Sequence, residues 1–167
     1  MLPGEEGLTQ AFDDFMIQTE SGQLDAEATS QGLFSYILTK RQRSEIKKVC
    51  NENQWVDPEE KGITLTKDYF EHVLNQRKVK DKVTAKDCST ILASAYSKKS
   101  KVAINKPRFK GDRERDQQAL IFNAEESIRV GNSNGLYGVA IIEISIKNLS
   151  PGTAYHATRP KVTAFGR

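Results

Sequence analysis

The clearest pattern of apolar and polar positions lies late in the chain, over residues 137–147. Ala140, Ile142, Ile144 and Ile146 hold the even positions, while the odd face carries Glu143, Ser145 and Lys147. A period of two over this length predicts a strand with one buried face. Shorter extended runs occur at 63–65, 102–104, 119–123, 127–130 and 153–158. Gly131-Asn132-Ser133-Asn134-Gly135 reads as a turn. Residues 148–152 read as another, with Pro151-Gly152 as its tightest cue. Residues 106–117 read as a charged loop. The earlier part of the chain has helical spacing instead. Leu8, Phe12, Phe15 and Met16 recur on one face over 5–20, with Asp13 and Asp14 outside and Ser21-Gly22 as the break. Residues 26–28 suit a turn of helix. The run 33–49 reads as one further helical segment, with Ile46, Val49 and Cys50 on a face. Thr66 is a good N-cap for a helix over 67–76 striped by Phe70, Val73 and Leu74. Thr84-Ala85-Lys86-Asp87 forms a capping box for a second helix reaching about residue 96. Together these elements predict an α+β fold. Two helices pack on an antiparallel sheet of four to five strands, preceded by a small helical region.

Charge changes the picture. Residues 1–60 carry five Lys and Arg against twelve Asp and Glu, a balance of −7. Residues 61–167 carry twenty against ten, a balance of +10, and the two give the chain its +3. The Pro- and Gly-punctuated stretch 56–62 is the natural boundary between these halves. The reading is an acidic helical region over 1–60, serving as an entry or accessory module, and a basic α+β domain over 61–167. A basic domain suits a polyanion such as RNA. No apolar run approaches the length of a membrane span, and the first residues lack the basic and apolar regions of a signal peptide. Cys50 and Cys88 have no Cys or His neighbour at zinc-ligand spacing, so no metal and no cofactor are expected. Cysteine packs as a small hydrophobe, so the reading is two buried free thiols, with a disulfide between them left open by the spacing.

His72 and His156 are the only histidines, and both fall in the basic half. Metal-free RNA cleavage needs a base for the ribose 2′-OH, a cation for the phosphate charge and an acid for the leaving oxygen. Histidine suits such proton transfer near neutral pH. Arg77-Lys78 follows His72 directly. Arg108, Lys110 and Arg113 surround Phe109 in the charged loop, a combination that suits single-stranded RNA by charge and stacking.

The order of these features resembles a known family. Ile63-Thr64-Leu65-Thr66 leads into Tyr69-Phe70-Glu71-His72-Val73-Leu74 and basic Arg77-Lys78. A second helix, a charged strand–loop–strand, a long apolar strand and a closing Thr153-Ala154-Tyr155 follow. Residues 63–167 resemble the barnase/EndoU/colicin E5–D/RelE superfamily of metal-independent ribonucleases. They are similar more narrowly to the C-terminal domains of contact-dependent inhibition toxins and their phage relatives. The resemblance implies a toxin that cuts RNA, often tRNA, by 2′-OH attack to leave a cyclic phosphate. It implies delivery from the surface of a producing cell into the target-cell cytoplasm, and neutralisation by a cognate immunity protein. His72 would be the helix histidine, with Thr153 and Tyr155 on the closing strand beside it. His156 and Thr158 project from that strand's other face. Arg77, Lys78 and Arg159 would stabilise charge. The departure from the family is that no Glu is obviously placed as base. The alternative is a non-catalytic RNA- or protein-binding accessory module from a phage or mobile element.

Overall fold

The strongest alternation becomes the central strand. The computed structural model describes residues 4–21, 32–105, 118–145 and 148–163, and in it β6 (Ser133–Ser145) organises the sheet. β6 pairs antiparallel with β4 (Gln118–Asn123), β5 (Ile128–Val130) and β7 (Asn148–Ala157). β3 (Lys101–Ile104) pairs with β4 and completes five strands. Ala140, Ile142 and Ile144 are buried, as their spacing requires, whereas Ile146 and Lys147 lie outside the described residues. The odd face is less polar than the pattern suggests. Val139 is fully buried and packs with Ile121, Ala157, Ile141 and Tyr155 against Val162 of α5 (Arg159–Thr163).

The other face of the sheet carries helices. α3 (Lys67–Asp81) starts where the Thr66 hydroxyl accepts from the Tyr69 N–H at 3.3 Å. α4 (Ala85–Ala95) starts with a reciprocal box. The Asp87 N–H donates to the Thr84 hydroxyl at 3.2 Å, and the Thr84 N–H donates to Asp87 Oδ2 at 3.3 Å. α4 reaches the sheet at Gly138, where a Cβ would stand 2.6 Å from the Ile91 carbonyl oxygen. Only glycine permits that approach.

Two expectations are corrected. Residues 33–49 are not one helix: β1 (Gly32–Ile37) is a strand, and α2 (Lys40–Glu52) begins after it. The break is chemical. Thr39 and Gln42 form a capping box of the same kind as at Thr84, and around Tyr36 burial alternates, with Ser35 and Ile37 exposed. A six-residue apolar run is too short to tell one period from the other. β1 pairs antiparallel with β2 (Gly62–Thr66), which makes a separate two-stranded sheet. The second correction concerns Pro151-Gly152, which is not the turn. Asn148 already pairs with Ser145, and Gly152 is the extra residue of a bulge between Pro151↔Ile142 and Thr153↔Ile141. Proline lacks the N–H a regular ladder needs, so bulges and edge strands are where a sheet tolerates it. The helical turn expected at 26–28 and the loop 106–117 lie outside the described residues.

The stretch 56–62 is a loop between α2 and β2, but packing does not divide there. Tyr96 is fully buried, and its ring lies 6.1 Å from Phe12, 5.8 Å from Tyr36, 6.5 Å from Tyr69 and 6.4 Å from Phe122. α1 (Gly4–Ser21), which supplies Phe12, therefore shares one core with α3, α4 and the sheet. α2 is held by buried Gln42. Its Oε1 accepts from the Tyr36 hydroxyl at 2.8 Å, and its Nε2 donates to the carbonyls of Ser97 and Ser100 at 2.8 and 3.1 Å.

Side chains close the outer edges of the main sheet. Glu45 of α2 accepts the Val102 N–H of β3 at 2.9 Å, and Glu60 accepts the Leu149 N–H of β7 at 3.1 Å. Cys50 and Cys88 are buried free thiols. Burial, aided by Asp57, pushes the Cys50 thiol up to about 11. Among the described residues no helix is long and apolar enough to cross a membrane.

Candidate functional site

β2, the start of α3 and the outer edge of β7 enclose a cleft of about 430 Å³. Thr64, Thr66, Asp68 and His72 form one wall, and Ser150, Pro151 and Gly152 form the other. Tyr69 and Leu149, both buried, make the floor. His72 stands one helical turn after Asp68, so the two project from the same side of α3, and His72 is exposed.

The far wall is made by the bulge. Gly152 faces the cleft, and on its other side lies the carboxylate of Glu143. A Cβ on Gly152 would meet Glu143 Cγ and Oε1 at 3.6 Å and the Ile141 carbonyl oxygen at 3.2 Å. Glu143 sits on the central strand with Ala119 of β4 and Ser150 of β7 as its cross-strand neighbours. One backbone ridge, 150–152, thus has an imidazole on one side and a carboxylate on the other. Hydroxyls of Ser150 and Thr153 stand at its two ends.

The expected residues do not all assemble there. Thr153 and Tyr155 pair with Ile141 and Val139 and share the face of the sheet opposite the helices. Neither lines the His72 cleft. The Tyr155 ring lies under Lys161, whose Nζ is 4.7 Å from the ring centroid. His156 pairs with Gly138 and shares the helix-side face with buried Ala154. There its charge acts on Asp87 at the start of α4. Burial tends to raise the Asp87 pKa. The Gly131 N–H, at 3.1 Å from Oδ1, the Thr84 donors and the His156 charge outweigh it and hold the carboxyl below its usual value. Lys78 is engaged elsewhere: its Nζ lies 2.6 Å from Glu20 of α1, so it ties two helices together. Arg77 is half-buried on α3, and Thr158 and Arg159 are exposed at the start of α5. Arg108, Lys110 and Arg113 lie outside the described residues.

Glu143, placed by the alternation on the polar face of the strand, is not among the site residues that the sequence singles out. Its signal is its position: a carboxylate in the middle of the most apolar strand, between Ile142 and Ile144. Glu143 is half-buried on the odd face of the strand and interacts with another group of the protein. Among the described residues no three His, Cys, Asp or Glu side chains gather as a metal-binding set. What lies about the ridge is an imidazole, a carboxylate and hydroxyls. Comparison of the chain with protein-family models, with curated proteins and with solved structures returned no match.

Proposed function

We propose that the chain is a metal-independent endoribonuclease acting across the 150–152 ridge. Glu143 takes the proton of a ribose 2′-OH. The 2′-oxygen bonds to phosphorus as the bond to the 5′-oxygen breaks. His72 gives a proton to that leaving oxygen. The products are a cyclic phosphate and a free 5′-OH, with Ser150, on the wall of the cleft, donating to the phosphate oxygens. The observation that supports this reading is that Gly152 lines the cleft with His72, while Glu143, which does not line it, lies 3.6 Å from where a Cβ on Gly152 would stand. A base at Glu143 would fill the role for which the resemblance offers no residue. With that resemblance the proposal extends to a toxin that cuts tRNA. It would be delivered from a producing cell into the target cytoplasm and blocked by a cognate immunity protein.

The test is cleavage of total tRNA by the purified chain in excess chelator. Wild type should give discrete fragments ending in cyclic phosphate, while Glu143→Gln and His72→Ala should each be slower by about 10² to 10⁴-fold. Circular dichroism should show all three equally folded. Both variants cutting at the wild-type rate would remove the assignment. A second reading keeps some support from the separation of Thr153 and Tyr155 from the His72 cleft. In that reading the chain is a non-catalytic RNA- or protein-binding accessory module, and the same assay would give binding without fragments.

A further inference from the structure

All five cations of residues 1–60 lie on one helix, α2. Two are internally engaged: Arg41 pairs with Glu45 at 2.5 Å, and Lys48 with Glu52 at 4.0 Å. The other three, Lys40, Arg43 and Lys47, are exposed and form no ion pair among the described residues. Their spacing of three and four places them on a single face. That face lines a second cleft, of about 340 Å³, with Lys61 on its opposite side. Leu149 lines both this cleft and the His72 cleft, so the two adjoin at one side chain.

We propose that the Lys40, Arg43 and Lys47 face of α2 is a phosphate-backbone groove that receives the RNA strand running out of the His72 cleft. The proposal rests on the reading that the chain acts on RNA. From Lys40 to Lys47 the helix rises ~10 Å, about three steps of a stacked strand at ~3.4 Å each. The opposite wall carries Asp57, Glu59 and Glu60 as well as Lys61. Glu60 accepts the Leu149 N–H at 3.1 Å. Accepting that N–H leaves Glu60 charged, so the three carboxylates together make this wall net negative and favour an anionic strand on the α2 side. The helix thus belongs by function with the basic half, although it sits in the acidic one.

The experiment uses the full chain and a labelled 2′-O-methyl RNA of about 20 nucleotides, which can bind but lacks the attacking hydroxyl. A Lys40→Ala/Arg43→Ala/Lys47→Ala variant should bind at least tenfold more weakly. Its plot of log affinity against log salt should flatten by about two, the value for three lost single-strand phosphate contacts. Cleavage of a dinucleotide, too short to reach α2, should be unchanged. Asp57→Asn/Glu59→Gln should change binding in the opposite direction, towards tighter. Wild-type affinity and slope in the triple variant would overturn the groove, as would unchanged or weaker binding in the carboxylate variant. Competition by polyglutamate as strong as by unlabelled RNA would also overturn it and assign the face to an acidic protein. Loss of binding in the triple variant of a chain that cuts no RNA would keep the groove and remove the nuclease. Cleavage without any α2 dependence of binding would do the reverse.

Discussion

The two histidines occupy opposite kinds of place. His72 is exposed in a polar cleft, facing a backbone ridge that carries no side chain at Gly152. His156 is half-buried between the sheet and the start of α4, where its charge acts on a carboxylate already holding two backbone N–H groups. One ring is exposed at a cleft, and the other is half-buried where its charge favours the Asp87 carboxylate. An imidazole's residue type says little about its task. The geometry of the groups around it says more.

The comparison breaks most sharply on activity. His72→Ala and Glu143→Gln should each lower RNA cleavage by about 10² to 10⁴-fold with little change in melting temperature, whereas His156→Asn should leave the rate within about twofold. Equal losses at the two histidines would dissolve the distinction. Gly152→Ala should come next. Its Cβ meets the Ile141 carbonyl oxygen at 3.2 Å, a tight approach, and makes ordinary contact with Glu143 at 3.6 Å. The backbone at Ile141 and Gly152 must give by a few tenths of an ångström, and since misplacement on the scale of an ångström costs roughly 10²-fold, the expected loss is smaller than that. Steady-state rates on a short RNA would show this, with circular dichroism confirming the fold. On stability the order reverses. Thr84→Ala should cost about 1 kcal/mol in urea unfolding by removing the cap of α4, while His72→Ala should cost almost nothing.

The smallest effect is a pH dependence. Asp87 is held below its unfolded pKa, so its contribution is present above about pH 4 and is lost as pH falls through the native value. Asp87→Asn should therefore be less stable than wild type at neutral pH, and the gap should close on acidification through that range. A gap that stays constant from pH 7 to pH 3 would mean that the carboxylate's charge is immaterial there.

Much of the fold is legible from local chemistry. The Thr66 cap, the Thr84–Asp87 box and the even-numbered isoleucines of β6 each state their structure in a few adjacent residues. The same logic applies at Thr39, whose box with Gln42 separates β1 from α2. The pattern is obscured because the apolar run before it blends into the helix after it. The pairing of β1 with β2 is not local. It joins residues about thirty positions apart, and no short window carries it. Charge misled in a similar way. The acidic half looks separable by composition, yet Phe12 and Tyr36 both meet Tyr96 in the common core. In the candidate site, the helix position of His72 and the opposed faces of Thr153 and His156 follow from periodicity. The place of Glu143 does not, because it depends on a bulge that turns Pro151-Gly152 from an apparent hairpin into the wall of a cleft.

Glu45 on Val102, Glu60 on Leu149, and the proline at 151 have a consequence beyond the single molecule. Each removes a donor that an incoming chain would need in order to lengthen the sheet. Concentrated solutions should therefore resist strand-wise polymerisation, and replacing either glutamate by alanine would expose the seam along which filaments could start.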